Sequence, residues 1–247
     1  MTRKRIDVLL TERGLFDSRA KARAAVEAGR VIVAGKVVAK PSEAVDEGAE
    51  IVAQAAHPWV GRGALKLVHA LDLWPVAVEG RVAVDVGAST GGFTEVMLSR
   101  GAARVFAVDV GRDQLHATLK ADPRVVDLSG VDARSLDAAL IPTPPRLVVS
   151  DVSFISLTKA LPAALDLAEA GADLVALIKP QFEAGREHVG KGGLVKDPDV
   201  IARVEGGIVD WLEGLGWSVK GLAESPITGG EGQVERLVWA QKKSAAR

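Results

Sequence analysis

The sequence predicts an α/β chain: a doubly wound, mostly parallel sheet with an antiparallel last strand, behind a small α+β N-terminal unit. Three observations predict it. From residue 82 to residue 240, short apolar runs alternate with amphipathic helical stretches. The last two runs are joined by residues 224–233 with no helical stretch between them, so they pair as an antiparallel hairpin. The first 56 residues carry a pattern of their own, two short helices and a hairpin.

In the N-terminal unit, Ile6, Leu9 and Leu10 fall at helical spacing, and Gly14 ends that helix. Ser18 supplies an N-cap for a second helix over residues 19–28, which Gly29 stops. RVIVAGKVV reads as strand, Ala34-Gly35 turn, strand; residues 41–48 read as a turn-rich link and AEIVA as a last strand.

Charge is unevenly placed. Residues 1–40 hold ten Lys or Arg against four acids, while residues 41–50 hold four acids and no base, in a chain of net charge −1. A solvated helix face is the plain reading of a charge run. Bases confined to one small unit are instead the footprint of nucleic-acid backbone binding. Phe16 is the only aromatic before His57, which argues against stacking on unpaired bases and for recognition of folded RNA by shape and phosphate. The candidate contacts are Arg5, Arg19, Lys21, Arg23, Arg30 and Lys36.

Residues 57–61 form a compact linker, and residues 62–74 read as a helix. Leu65, Leu67, Val68, Leu71 and Trp74 make its apolar face; Arg62, Lys66 and His69 share the other. Arg62 joins the RNA candidates.

VAVDVGASTGGF, residues 82–93, is strand, glycine-rich turn and helix start. Glycine is needed where a ligand must touch backbone with no Cβ between. A phosphate-gripping loop of the GxxxxGK[ST] kind is excluded because no Lys follows Gly92, and the GxxxGG spacing does not fit a dinucleotide fingerprint. S-adenosylmethionine, which has no phosphates, fits best. Its expected contacts are Asp85, Gly87, Ala88, Ser89, Thr90, Gly91, Gly92 and Phe93.

Further strands are expected at 104–109, 125–128, 147–151, 173–179, 217–223 and 234–240, with helices at 92–100, 112–121, 157–170 and 198–215. Ligands of such sheets bind beyond the carboxyl ends of the strands. Asp109, Asp151 and Lys179 each end an apolar run there, and Glu235, at the start of an antiparallel strand, faces the same edge. Asp109 lies 18 residues after Gly91, where an acid commonly holds ribose hydroxyls. Asp132, in the loop after 125–128, is placed toward an adenine ring. The long loop 180–196, with Arg186 and Lys191, reads as a mobile flap on the RNA side.

The N-terminal order SRxxAxxxxxxGxVxVxGxxVxKP resembles the RNA-binding domain first named for a small-subunit ribosomal protein, the S-four type. Ala34 departs from the Asn usual in its turn. Over the whole chain, WVGRGALKL, DVGASTGGF, VDVGRDQL, SDVSFISL, LIKPQFEAG, KGGLVKD and SPITGGEGQVE, in this order, resemble the TlyA family. That resemblance implies a Rossmann-like, FtsJ-like S-adenosylmethionine-dependent methyltransferase domain over 62–247. It implies 2′-O-methylation of a cytidine ribose in ribosomal RNA, free or in a subunit. It implies a Lys-Asp-Lys-Glu tetrad at Lys66, Asp151, Lys179 and Glu235. Gly61, in place of a Ser usual before the RG pair, and the linker HPWV depart from the family pattern. Twelve residues follow Glu235. That short form resembles the enzymes that modify large-subunit RNA.

In-line attack on a sulfonium methyl has a neutral leaving group, so the chain must align the 2′-oxygen and take its proton. Lys179 is expected as that base or its direct stabiliser, helped by like-charge repulsion from Lys66 and by desolvation. Asp151 would orient Lys179 and Glu235 would balance Lys66. With no cysteine and four scattered His, no metal site is expected. No apolar run has the length of a membrane span and none resembles a leader, so the sequence reads as that of a cytoplasmic protein without membrane contact. Two other readings are an RNA-binding protein with a vestigial cofactor fold and a membrane-active haemolysin.

Overall fold

The structure, a computed structural model, describes residues 2–229 and 232–244; Gly230 and Glu231 of the SPITGGEGQVE stretch lie outside them. The chain divides into two compact units, Met1–Pro58 and Trp59–Arg247.

In the first unit, β1 (Arg3–Arg5) leads into α1 (Ile6–Glu12) and α2 (Arg19–Glu27). Ser18 caps α2 by accepting the Lys21 amide, and Gly14 and Gly29 take positive φ after the helices, as their sequence positions imply. Then come β2 (Val31–Val33), β3 (Lys36–Val37), β4 (Ala44–Asp46) and β5 (Ile51–Ala53), with β2 between β3 and β5. The stretch expected to be a plain link holds β4, which pairs antiparallel with β1. Its polar residues hid a strand whose buried residue, Val45, sits between exposed Ala44 and half-buried Asp46. The β2–β3 turn puts Ala34 and Gly35 at φ 47° and 77°, the geometry that matches strand twist in a two-residue hairpin. Ile6, Leu10, Ala25, Val26 and Val31 are fully buried.

The second unit opens with α3 (Ala64–Leu73) and continues with β6 (Val82–Val86), α4 (Gly92–Ser99), β7 (Arg104–Asp109), α5 (Ala117–Lys120), β8 (Val125–Ser129) and β9 (Leu147–Ser150). It ends with α6 (Leu157–Ala160), α7 (Pro162–Leu167), β10 (Asp173–Ile178), α8 (Pro180–Glu183), α9 (Pro198–Gly214), β11 (Trp217–Glu224) and β12 (Arg236–Lys242). The seven strands order as β11-β12-β10-β9-β6-β7-β8, with β12 antiparallel to both neighbours and the rest parallel.

Alternation within each strand divides the core. Ala83, Val149 and Val175 face one layer with Leu67, Phe93 and Met97; Val84, Val148 and Leu174 face another with Leu161, Leu165, Ile208 and Trp217. At about 25 cal/mol per Å² of apolar surface, burial in these two layers is the main term holding the sheet to its helices.

Four expectations need correction. The helix expected over 112–121 is one turn, α5, because Gly111 and Asp113 (φ 56°) break the approach to it. The helix expected over 157–170 is split where Pro162 starts α7, since proline has no amide to continue α6. The last strand begins at Arg236 rather than residue 234, leaving Val234 exposed. The loop expected over 180–196 contains α8 and a 3-10 turn, Arg186–His188.

Candidate active site

Parallel strands place their carboxyl ends on one edge, and an antiparallel strand places its start there. Asp151 follows β9 and Lys179 follows β10. Glu235 precedes Arg236, the partner of Ile178 at the end of β10. Lys66 enters from α3. Lys66 Nζ donates to Glu235 Oε2 at 2.7 Å and to the two Asp151 carboxylate oxygens at 3.1 and 3.2 Å. Lys179 Nζ lies 2.7 Å from Asp151 Oδ1. It also donates to Ser153 Oγ at 2.9 Å and to the Asp151 carbonyl at 3.2 Å.

The result is a chain of alternating charge, Glu235–Lys66–Asp151–Lys179, brought together from residues up to 169 apart in sequence. Lys66, Lys179 and Glu235 are buried, so each charge persists only because its neighbour compensates it. Backbone closes around the cluster where side chains cannot fit. A Cβ on Gly229 would stand 2.6 Å from Glu235 Oε1, and one on Gly63 would stand 3.2 Å from Asp151 Oδ2.

Two cavities meet at this cluster. One, of about 530 Å³, is walled by all four charged residues together with Phe154, Gln181 and Phe182. The other, of about 580 Å³, is walled by Asp109, Val110, Gln114, Val131, Asp132 and Ile155. Gly87, Ser89, Asp151, Ser153 and Phe154 line both. Both have the volume of small-molecule sites.

The glycine-rich turn forms the floor between them. Asp85 is fully buried; its Oδ2 accepts from Thr94 Oγ1 at 2.7 Å and its Oδ1 has no partner. Burial pushes its carboxyl up to about 7. Gly87 and Gly91 take φ 85° and 95°, and a Cβ on Gly91 would collide with Leu119 Cδ1. Gly92 and Phe93 are buried at the start of α4 and Ala88 is buried in the turn, while Ser89 and Thr90 are exposed there. Asp109 accepts the Ser89 amide at 2.8 Å and the Gly111 amide at 2.7 Å, which ties the turn to the end of β7. Asp132 stands in the wall of the second cavity. Its carboxylate accepts from the Arg134 side chain, which holds its pKa down at about 2.

The remaining candidates fall into two kinds. Arg23, Arg30, Lys36, Arg186 and Lys191 are exposed. Others are engaged within the protein: Arg5 and Arg19 both donate to the buried Asp7, Lys21 pairs with Asp17 at 2.9 Å, and Arg62 donates to the Thr228 carbonyl at 3.1 Å.

Sequence reasoning missed Ser153, Phe154, Gln114, Gln181 and Phe182 as wall residues. Phe154 is 91% exposed at φ 66° and packs on Phe182 with ring centroids 5.1 Å apart. A bulky residue in the left-handed region has no sequence signature. Ser153 had one available, its place two residues beyond a strand-ending Asp.

A parallel sheet with a glycine turn after its first strand, an acid at the end of the next and an antiparallel last strand defines an S-adenosylmethionine-dependent methyltransferase. A methyltransferase of that kind from Mesorhizobium loti superposes over 73% of this chain with a TM-score of 0.54 at 16% identity, a likeness of fold alone. The chain belongs to the FtsJ-like methyltransferase family, which matches residues 59–242, and an S4 domain matches residues 4–51. It is 45% identical, over 98% of its length and 91% of the relative's, to the 16S/23S rRNA (cytidine-2'-O)-methyltransferase TlyA of Mycobacterium tuberculosis. A solved structure from Streptococcus thermophilus that carries a hemolysin name is 41% identical and covers 99% of this chain and 90% of its own, with a TM-score of 0.77.

Proposed function

We propose that this enzyme methylates the 2′-hydroxyl of a cytidine in ribosomal RNA, with S-adenosylmethionine as the methyl donor. One observation carries the reading: the Lys66–Asp151–Lys179–Glu235 chain of charge stands where the two cavities meet. Relatives named for cytidine 2′-O-methylation supply the substrate class. The name of the 45% identical relative covers both ribosomal RNAs, so large-subunit and small-subunit RNA form the two arms of the test.

The residues present fit the cofactor. Gly87 and Ser89 of the glycine-rich turn line the second cavity, Asp109 offers a carboxylate at its edge, and Val110, Val131 and Ile155 offer apolar walls for a ring. When bound there, the cofactor supplies an electrophilic methyl group whose departure leaves a neutral thioether. Everything else falls to this chain. Its walls align the ribose oxygen with that methyl, the largest contribution to rate in a reaction without an acid step. Lys179 takes the 2′-hydroxyl proton. Asp151 fixes Lys179 by its side chain and its carbonyl, and Lys66, held by Glu235, fixes Asp151.

The basic N-terminal unit holds the RNA by its backbone, through Arg5, Arg19, Lys21, Arg23, Arg30 and Lys36, with Arg62, Arg186 and Lys191 contributing from the second unit. The reaction belongs in the cytoplasm, where ribosomal RNA is. Among the described residues no helix is long and apolar enough to cross a membrane, and no group of three or more metal-ligating acids or His occurs.

The test is incubation of isolated subunits, assembled ribosomes and protein-free ribosomal RNA with methyl-labelled cofactor, followed by mapping. Label at the 2′-oxygen of a cytidine is the expected result. Label on a base, on another nucleoside or nowhere overturns the reading.

A further inference from the structure

We infer that Ser153 is a further catalytic residue, relaying the proton from the substrate hydroxyl to Lys179; this rests on the reading of Lys179 as the base. As an ammonium, Lys179 has three protons, and three acceptors surround Nζ: Asp151 Oδ1 at 2.7 Å, Ser153 Oγ at 2.9 Å and the Asp151 carbonyl at 3.2 Å. A carboxylate oxygen and a carbonyl can only accept. Nζ is hydrogen-bonded to the Asp151 carbonyl and to Ser153 Oγ and is ion-paired with Asp151 Oδ1; in the relay the neutral amine keeps its protons on the Asp151 side and turns its lone pair to Ser153. Of the three partners, only the serine hydroxyl can donate into that lone pair.

Lys179 is buried, with 6% of its surface exposed, while Ser153 is exposed and lines both cavities. Lys179 and Ser153 thus share the first cavity, and Ser153 is the more exposed of the two.

The step balances. The ribose 2′-O–H bond breaks and its proton passes to Ser153 Oγ, while the Ser153 proton passes to Nζ. The 2′-oxygen forms its bond to the methyl carbon, and the carbon–sulfur pair stays on sulfur. Lys179 ends as an ammonium, and the proton later returns to solvent.

The experiment compares wild type with Ser153→Ala, Ser153→Thr and Lys179→Ala in single turnovers. General acid–base groups contribute about 10²–10⁴-fold. Ser153→Ala should lose about 10²-fold or more in rate with unchanged affinity for RNA and cofactor, and Ser153→Thr should recover most of that loss. Rates in H₂O/D₂O mixtures should curve for wild type, with two protons in flight, and become linear in Ser153→Ala. In the cofactor-free chain, the Lys179 side-chain ¹⁵N resonance should shift in Ser153→Ala and return in Ser153→Thr. A Ser153→Ala rate within threefold of wild type, or an unmoved resonance, overturns the relay while Lys179→Ala remains inactive. Normal turnover by Lys179→Ala overturns the base reading and the relay with it.

Discussion

Lys66 Nζ lies 2.7 Å from Glu235 Oε2, and both side chains are almost wholly removed from water. Their partners differ in number. Lys66 also touches Asp151, whereas Lys66 is the only cation paired with Glu235 among the described residues. Loss of Lys66 strands a buried carboxylate; loss of the Glu235 charge does not strand Lys66.

Lys66→Met should therefore destabilise the second unit more than Glu235→Gln does, by about 3–5 kcal/mol against wild type. The double variant should recover part of that loss without regaining methylation. Urea denaturation with a parallel methylation assay checks both statements. Equal destabilisation by the two single variants would remove the asymmetry.

Asp85 carries a pH dependence of folding. Its folded-state pKa is raised by burial to about 7, above the ordinary carboxylate value, so the native chain binds the proton more tightly than the unfolded one. Stability contributed by this residue falls as pH rises from about 4 to about 7. Asp85→Asn, which mimics the neutral form and still accepts from Thr94, should flatten that slope. The measurement is thermal unfolding of the cofactor-free chain from pH 4 to pH 8, with the variant gaining on wild type toward pH 8.

Asp7 works in the opposite sense. The Arg5 side chain first, and Arg19 with it, holds its pKa at about 2 against the cost of burial. Its contribution is present above about pH 4 and is lost as pH falls toward about 2. Because both arginines are about half exposed, about 1–2 kcal/mol is the expected size. Asp7→Asn should cost that much at neutral pH and little at pH 2, read by acid titration of circular dichroism. It should also weaken RNA retention, since the buried carboxylate is what aims both guanidinium groups.

Gly91 separates a cofactor effect from a folding effect. Its φ is 95° and an added Cβ would collide with Leu119 Cδ1, so Gly91→Ala strains the turn and displaces the Leu119 side chain. S-adenosylmethionine affinity by calorimetry should fall at least tenfold, while RNA binding, proposed above to rest chiefly on the N-terminal unit, stays within about twofold. Unchanged cofactor affinity would show that the turn does not touch the ligand.

The sequence by itself determined the alternation of strands and helices, because a period of 2 and a period of 3.6 are local properties of apolar spacing. Strands β6 and β7 coincide with the runs that announce them, and the Ala34-Gly35 turn is written in its two residues. Strand-end position also picked out Asp109, Asp151, Lys179 and Glu235. Their convergence follows from topology alone, since parallel strands share an edge.

Tertiary structure decided the rest. Lys66 reads as one of three polar residues on a helix face, and only the fold brings it against Glu235, 169 residues away, and buries it there. The link that became β4 needed β1 as a partner before its residues could count as a strand. The contact of Ser153 with Lys179 and the left-handed backbone of Phe154 arise where the chain turns off β9, under constraints supplied by β10. Hydrogen-bond direction, burial of charge and positive φ are set by neighbours distant in sequence, which is why no local pattern announces them.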